Sequence, residues 1–328
     1  MKTIESIGKF LGKYFALFVL AAAAFSYFQP HWITWVVPYI SYLLGIVMFG
    51  MGLTLKRSDF AEVFKRPKDV LIGVCAHYLI MPLVALALCY AFRLPGAIAV
   101  GVLLVGSCPS GTSSNVMAFL AKGDVALGVS VGAVSTLIAP VMLPFILWLL
   151  AGHWVSIPTT ALFTSVLEIV ILPILLGVAV NALLGKHVEK ATEALPLVST
   201  LAIILIASGV VAANAANMFT AETLVIIPVV ILHNLLGYGL GFLFSRLLGM
   251  NHPKSRAITF EVGMQNSGLA ATLAMALFSP IAAVPGTLFS VWHNMSGSIL
   301  ASYWAGKTQP EEANGQESSV SAQPASAK

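Results

Sequence analysis

Long apolar runs alternate with short polar segments along nearly the whole chain. Each run has at least the roughly 18 residues that a helix needs to cross a bilayer. The pattern therefore predicts ten membrane-spanning helices. They occupy residues 12–29, 33–55, 69–92, 96–121, 124–151, 158–184, 194–218, 223–247, 256–279 and 283–306.

Two of these runs are interrupted by polar, helix-breaking sequence. The fourth contains CPSGTSSN, from Cys108 to Asn115, and the ninth contains EVGMQNSG, from Glu261 to Gly268. One such segment alone would indicate a kink that neighbouring helices repair. Two at matching positions, each rich in hydroxyl or amide side chains, predict unwound backbone beside a water-filled cavity, because lipid cannot satisfy its polar groups.

The interrupted runs also divide the chain into two related halves. Each is the fourth span of a five-span half, and the third span of each half carries a histidine, His77 or His233. An odd number of spans gives the halves opposite orientations. The predicted fold is an all-α polytopic membrane protein with inverted five-helix repeats at 12–151 and 158–306, an arrangement that marks the binding site of secondary transporters.

Composition excludes a soluble domain. Hydrophobic residues make up 58% of the 328 residues and charged residues 9%, with a mean hydropathy of +0.92, whereas soluble domains are about 25% charged. The net charge of +4 does not indicate a nucleic-acid partner, because the basic residues lie in loops. Cys75, Cys89 and Cys108 lie in apolar runs without metal-ligand spacing, so we expect no transition metal.

The distribution of basic residues predicts the orientation. With ten spans, all 17 Lys and Arg residues except Arg93 lie near the termini or in the connections after even-numbered spans. The positive-inside rule therefore places both termini in the cytoplasm. Residues 1–11 are predicted to be a cytoplasmic N-terminus, with a signal peptide as the alternative, and the polar segment 307–328 is predicted to be a disordered cytoplasmic tail.

The only acids inside predicted spans are Glu168 and Glu261. A carboxylate at membrane depth is costly and by default functional. Glu261 lies in the interrupted ninth span with Gln265, Asn266 and freed carbonyl groups, a set of oxygens that suits a hard cation such as sodium. A protonated, structural Glu261 is the alternative. Glu168 has no polar neighbours in the sequence, and we expect no role for it.

Four segments keep an order and spacing that are typical of one transporter family. PSGTSSNVM, GDVALGV, EVGMQNSGLA and SVWHNMSGS resemble the bile acid/sodium symporter family, especially its bacterial members, over about residues 12–306. The resemblance implies a bacterial inner-membrane protein. Spans 1, 2, 6 and 7 would form a panel, spans 3–5 and 8–10 a core, and the broken spans 4 and 9 would cross within the core.

The resemblance also implies two sodium sites and one substrate site. The first sodium site would use Ser114, Asn115 and Glu261, the second Glu261, Val262, Met264 and Gln265 (the Val and Met through backbone carbonyls), and the substrate would contact Thr112, Asn266, His293 and Asn294. Sodium is then the coupling ion, and no organic cofactor is expected.

Three positions depart from the family pattern. His77, a further candidate for sodium binding, stands where the family often has an amide, and Gly128 and Gly132 stand where hydroxyl residues commonly complete the first site. Ser135 shares their helix face and is a candidate replacement. A protonated His77 against Glu261 could replace the second sodium, so that acidification partly substitutes for sodium. A neutral His77 bonded to a backbone carbonyl would leave sodium coupling intact.

The implied function is sodium-coupled symport of an organic anion by alternating access. A small carboxylate such as pantoate is expected ahead of a bile-acid-like substrate. The alternative is a proton-coupled organic anion transporter or a cation/proton antiporter, although antiporters tend to pair acids, or an acid and a Lys, at the crossing.

A membrane enzyme is the remaining hypothesis from another class. It would combine Ser296 or Ser298 with His293. No nucleophile motif supports it, and hydroxyl groups in helices usually bond to the backbone. We therefore expect a transporter rather than an enzyme.

Overall fold

A computed structural model describes residues 15–55, 57–185, 194–218 and 220–306. The predicted N-terminal segment 1–11, the predicted tail 307–328, and Lys186 and Lys190 lie outside these residues. The described chain is all helical, with one isolated β-bridge. Six of its helices are long and apolar enough to cross a membrane: Thr34–Thr54, Pro67–Ala91, Val125–Ala151, Thr159–Leu184, Leu197–Asn214 and Ile226–Leu247.

Helices of the first half follow the apolar runs closely. A 3-10 stretch at Thr34–Tyr39 leads directly into the second helix. The helices are α1 (Phe15–Phe28), α2 (Ile40–Thr54), α3 (Arg57–Lys65), α4 (Pro67–Ala91), α5 (Gly96–Ser107), α6 (Ser114–Leu120) and α7 (Val125–Ala151).

The second half continues after a short connection. Its first long helix contains a π-helical turn at Leu167–Ile171, which joins α8 to α9. The helices are α8 (Thr159–Val166), α9 (Leu172–Leu184), α10 (Leu195–Asn214), α11 (Ala221–Leu224), α12 (Ile226–Leu247), α13 (His252–Gly263), α14 (Ser267–Leu277) and α15 (Pro280–Ala305).

One helix of the structure was not predicted from the sequence pattern. The segment RSDFAEVFK forms α3, which packs against α7. It is short and amphipathic, with Val63 packed on the core and Phe64 84% exposed. Its mixed polarity gives no membrane-spanning pattern, although its apolar residues recur at helical spacing.

The helices pack in two groups. In one group, α2 packs against α9 and α10, and α10 packs against α1. Helices α2 and α9 approach closely, because a Cβ at Gly52 would collide with the carbonyl of Ile174 and one at Gly177 with the carbonyl of Phe49. In the other group, α4, α5 and α7 pack together and against α12–α15.

Ion pairs fix one end of the second group. Arg66 pairs with Asp124 at 2.6 Å, and Lys254 pairs with Asp69 at 2.7 Å. Asp124 also caps α7 by accepting the N–H of Leu127 at 3.1 Å. These contacts tie the starts of α4, α7 and α13 together.

Candidate functional site

The two interruptions meet and pair through their backbones. The chain leaves the helical conformation between Ser107 and Ser114, and again between Gly263 and Ser267. An antiparallel bridge joins the two extended pieces at Ser110 and Gln265. The N–H of Gly111 donates to the carbonyl of Met264 at 2.9 Å, and the N–H of Asn266 donates to that of Pro109 at 2.8 Å.

Gly111 is required by this close approach. A Cβ at position 111 would lie 2.8 Å from the carbonyl oxygen of Gln265. Any side chain there would therefore force the two strands of the bridge apart, since real Cβ atoms essentially never come within 3.0 Å of a backbone atom.

Glu261 lies beside this bridge with its side chain fully buried. Its Oε1 accepts a hydrogen bond from the hydroxyl of Ser114 at 2.5 Å. Its Oε2 and the Oδ1 of Asn115, also buried, accept none from the described residues. Buried, uncompensated acceptor oxygens around a carboxylate are what a hard cation would bind, because burying them without a partner is costly.

Gly128 and Gly132 of α7 face these oxygens. A Cβ at Gly128 would lie 3.0 Å from Asn115 Oδ1 and 3.5 Å from Glu261 Oε1, and one at Gly132 would lie 3.1 Å from Glu261 Oε2. Ser135, further along the same helix, donates to the carbonyl of Gly132 at 2.9 Å. The α7 side of the site thus presents glycines, and a side chain at either would require these oxygens to shift by a few tenths of an ångström.

The carbonyls of the predicted second sodium site accept hydrogen bonds from the protein. The side-chain amide of Gln265 donates to the carbonyl of Val262 at 2.7 Å, and the carbonyl of Met264 accepts the N–H of Gly111. Oε1 of Gln265 is buried and accepts no hydrogen bond within the described chain.

His77 contacts the backbone of Glu261 and not its carboxylate. Nδ1 lies 2.8 Å from the carbonyl oxygen of Glu261, and Nε2 lies 2.9 Å from that of Cys108. A neutral imidazole carries one N–H and can donate to only one of them. The ring lies between the end of α5 and the end of α13, within hydrogen-bond distance of both.

A cavity of about 600 Å³ adjoins the crossing. It lies between the two helix groups, with walls from α2, α6, α10, α14 and α15. Its volume is in the range of small-molecule sites. All four residues predicted to contact the substrate line it: Thr112, Asn266, His293 and Asn294.

The polar groups of the cavity differ in how they are held. Asn266 caps α14 through Oδ1, which accepts the N–H of Leu269 at 3.1 Å, and Asn294 donates to the carbonyl of Ser290 at 2.7 Å. Nδ1 of His293 has no hydrogen-bond partner among the described residues. None of the described lining residues is Lys, Arg, Asp or Glu, so a charged ligand would have to be held by dipoles.

Three polar residues of the site and its cavity were not predicted from the sequence. Asn234 of α12 donates to the carbonyl of Gly263 at 2.8 Å and accepts from Ser296 at 2.6 Å. Ser199 and Thr200 of α10 line the cavity on its far wall. Polar residues inside an apolar run were a usable signal for all three, since such groups need partners within the protein.

The remaining candidates show no arrangement typical of an enzyme in the described chain. Glu168 is exposed in the π-helical turn and does not line the cavity. Ser296 donates to Asn234 and to the carbonyl of His293, while Ser298 donates to the carbonyl of Asn294. The two hydroxyls thus bond to an amide and to backbone, and no group of three or more His, Cys, Asp or Glu in the described chain could hold a metal ion.

Comparison with known proteins adds independent information. The profile described as the Sodium Bile acid symporter family matches residues 41–221. The chain is 50% identical, over 98% of its length and the whole of the relative, to YocS of Bacillus subtilis (strain 168), described as an uncharacterized sodium-dependent transporter.

More distant relatives carry related descriptions. Identity is 34% to BASS1 of Arabidopsis thaliana, a probable chloroplastic sodium/metabolite cotransporter, over 92% of this chain and 75% of the relative. It is also 34% to the human ileal sodium/bile acid cotransporter, over 74% of this chain and 70% of the relative.

Proposed function

Because the chain belongs to the sodium bile acid symporter family, we propose that it couples sodium entry to the transport of a small organic anion. It is an integral membrane protein and a sodium-dependent transporter, and it is not an enzyme. The proposed substrate is a small carboxylate of the pantoate type, with a bile-acid-like anion as the second candidate. The location is the inner membrane of a bacterium.

The observation that carries this proposal is the set of buried oxygens at Glu261. Oε2 of Glu261 and Oδ1 of Asn115 lack hydrogen-bond donors among the described residues, and Ser114 holds Oε1. A sodium ion bound by these three residues would neutralise the carboxylate and supply the missing partner. Hard cations prefer such oxygen ligands.

The cavity next to the crossing is the proposed substrate site. Residues 113 and 114 are consecutive, and Ser113 lines the cavity while Ser114 bonds to Glu261. The substrate carboxylate would meet the N-terminal end of α14, where backbone N–H groups and the helix dipole favour an anion. Thr112, Asn266, His293 and Asn294 would bond to its carboxylate and hydroxyl groups.

Coupling follows from the bridge between the two interruptions. The backbone pairing of Ser110 with Gln265 joins the segment that carries Ser114 to the segment that carries Asn266. Sodium binding at Glu261 would order both segments, and the donors for the substrate would then be fixed before it binds. Part of the ordering cost is thereby removed from substrate binding.

Alternating access would move the two helix groups relative to each other. We propose ten spans in two inverted repeats, with α1, α2, α8–α9 and α10 as the panel and the other long helices as the core. The packing of helices into these two groups, with the cavity between them, supports this division.

The structure corresponds in this proposal to an inward-facing state. Cavity residues such as Met117, Ser199 and Ile299 belong to the ends of α6, α10 and α15 that the charge distribution assigns to the cytoplasm. At the opposite ends of α10 and α15, the amide of Asn214 donates to the carbonyl of Pro280 at 2.8 Å. This bond would hold the outer side closed.

Uptake by purified protein in proteoliposomes tests the proposal. A thermal-shift screen of organic acids with and without sodium first selects ligands, because a ligand that binds the folded state raises its stability. Uptake of pantoate, a 2-oxo acid and taurocholate is then measured under an inward sodium gradient, with potassium as control. Equal uptake rates in sodium and in potassium would contradict the proposal. Proton release on adding sodium without any organic acid would instead support an antiporter.

A further inference from the structure

The end of α13 leaves four consecutive backbone carbonyls without helical partners, and a nitrogen atom of the protein lies within hydrogen-bond distance of each. These nitrogen atoms come from four separate elements: α4, α12, the segment after α5 and the segment after α13. The pairs are Glu261 with His77 Nδ1 at 2.8 Å, Val262 with Gln265 Nε2 at 2.7 Å, Gly263 with Asn234 Nδ2 at 2.8 Å, and Met264 with Gly111 N at 2.9 Å.

These contacts compete with a cation for the carbonyl oxygens. A donor at 2.7–2.9 Å takes one of the two lone pairs of its carbonyl oxygen, and the carbonyl of Met264 also accepts from the hydroxyl of Ser110 at 3.5 Å. To use the carbonyl of Met264, a sodium ion would have to displace one of its two donors. To use the carbonyl of Val262 together with Oε1 of Gln265, it would have to turn the Gln265 amide away from Val262.

His77 is the residue that most directly closes this position. Its ring is fully buried and lies between the carbonyls of Glu261 and Cys108. An imidazole nitrogen is a poor ligand for sodium, which prefers oxygen. An amide at this position would offer both an oxygen and a donor, whereas the imidazole offers no oxygen.

Two buried oxygens without hydrogen-bond donors lie instead at the carboxylate of Glu261 and beside it. Asn115 Oδ1 and Glu261 Oε2 lack donors in the described chain, and both face the glycines of α7. Oε1 of Gln265 also lacks a donor there, but its own amide nitrogen is bound to Val262, and a single oxygen does not make a cation site. The uncompensated oxygens therefore form one ion position.

We propose that this protein binds one sodium ion per transport cycle, at Ser114, Asn115 and Glu261, and that His77 closes the second position. The inference rests on the proposed function and refines it, since the family resemblance implies two ions. It makes His77 a residue that determines ion stoichiometry.

Equilibrium binding of radioactive sodium to the purified protein tests the stoichiometry without relying on transport. We expect one ion per wild-type protein and a Hill coefficient for sodium near ~1, because this coefficient does not exceed the number of sites. Two ions per wild-type protein would overturn the inference but leave the proposed function standing. No sodium binding at all would contradict the proposed function itself.

Two variants isolate the role of His77. His77→Gln introduces a side-chain oxygen next to Glu261, and we expect it to raise the stoichiometry from one ion to two. His233→Gln is the matched control, because His233 is also buried and bonded to a carbonyl, but that carbonyl belongs to Met81 of α4 and not to α13. We expect it to keep one ion.

A folding defect in one variant does not remove the test. If His77→Gln does not fold, His77→Asn makes the same exchange with a shorter side chain. A folded His77 variant that still binds one ion, or a His233→Gln protein that binds two, would overturn the assignment to His77.

Discussion

The hydroxyl of Ser114 donates a hydrogen bond of 2.5 Å to Oε1 of Glu261, which is 147 residues away in the sequence. The contact joins α6 of the first half to α13 of the second. It satisfies one oxygen of a fully buried carboxylate, while Oε2 has no donor among the described residues. The carboxylate at this junction is therefore only partly compensated by hydrogen bonds from the protein.

Glu261→Gln should abolish most sodium-driven uptake while the protein remains folded. The amide keeps the shape of the side chain and can still accept from Ser114, but it lacks the charge that balances a cation. Loss of an interaction with a charged group costs about 1.5–3 kcal/mol, or roughly 10- to 150-fold in sodium affinity. Proteoliposome uptake and thermal unfolding measure the two effects.

Glu168→Gln is the matched control for this experiment. Glu168 is the other acid within a predicted span, and it is exposed and outside the cavity lining. Its uptake should equal that of the wild type. Equal rates for Glu261→Gln and the wild type would refute the assignment of the ion to Glu261.

Thr112→Ala and Asn266→Ala should weaken substrate affinity more than sodium affinity. Both side chains line the cavity, and each would lose a hydrogen bond to an anion, which corresponds to roughly 10- to 150-fold. Isothermal titration with the best ligand from the screen, and separately with sodium, measures both. Unchanged substrate affinity in both variants would show that the substrate lies elsewhere.

Asn266 needs an additional control because it also caps α14. Loss of an N-cap costs about 0.5–2 kcal/mol in stability, and a loosened helix could weaken binding indirectly. Asn266→Ser retains a capping oxygen but removes the amide. If the amide binds the substrate, the serine variant should be as stable as the wild type and still bind weakly.

Gly128→Ser should increase sodium affinity, and Gly128→Ala should not. The new Cβ would lie 3.0 Å from Asn115 Oδ1, a contact that this flexible amide can relieve by a small shift. Serine then adds an oxygen beside the ion, and one further bond of about 0.5–1.5 kcal/mol lowers the half-saturating sodium concentration roughly 2- to 10-fold.

The difference between the two Gly128 variants isolates the oxygen from the added volume. Sodium titrations of binding compare both variants with the wild type. If serine and alanine change sodium affinity equally, the α7 face does not contact the ion, and the placement of the site would have to be revised.

Asn214→Ala should loosen the contact between α10 and the first turn of α15. The amide of Asn214 is buried and donates to the carbonyls of Pro280 and Val210, each at 2.8 Å. We expect a loss of about 0.5–1.5 kcal/mol in stability and faster hydrogen exchange at the start of α15. Hydrogen-exchange mass spectrometry in nanodiscs measures the local effect.

Asn181→Ala provides the comparison within one helix group. Asn181 of α9 donates to the carbonyl of Leu55, which follows α2, at 3.2 Å. Its loss should leave hydrogen exchange in α15 unchanged. Equal protection of the first turn of α15 in the Asn214→Ala protein and the wild type would show that the bond does not hold the two groups together.

Helix positions could be predicted because apolar length and helix breakers are local properties. The first apolar run is predicted at 12–29 and α1 occupies Phe15–Phe28, while the sixth is predicted at 158–184 and helix covers Thr159–Leu184. Both interruptions also lie where Pro109 and the glycines of EVGMQNSG indicate. The π-helical turn carries no comparable residue signature and was not predicted.

The hydrogen-bond partners within the site could not be predicted in the same way. Sequence reasoning identified Glu261 from the cost of a carboxylate at membrane depth. It could not show that His77 contacts the backbone of Glu261, or that Asn234 binds the carbonyl of Gly263, because both depend on how α4 and α12 pack against α13. Such contacts join residues that are distant in sequence and leave no periodic pattern.

The hydrogen-bonded carbonyls at the end of α13, and the one-ion stoichiometry proposed from them, have a bioenergetic consequence. One sodium ion carried with one monovalent anion moves no net charge, so the membrane voltage, worth about 2.3 kcal/mol per elementary charge at 100 mV, neither drives nor opposes the cycle. The sodium concentration gradient is then the whole driving force. At equilibrium the inside-to-outside concentration ratio of the anion can reach only the outside-to-inside ratio of sodium. A second sodium ion would square that limit, and the membrane voltage would then also contribute.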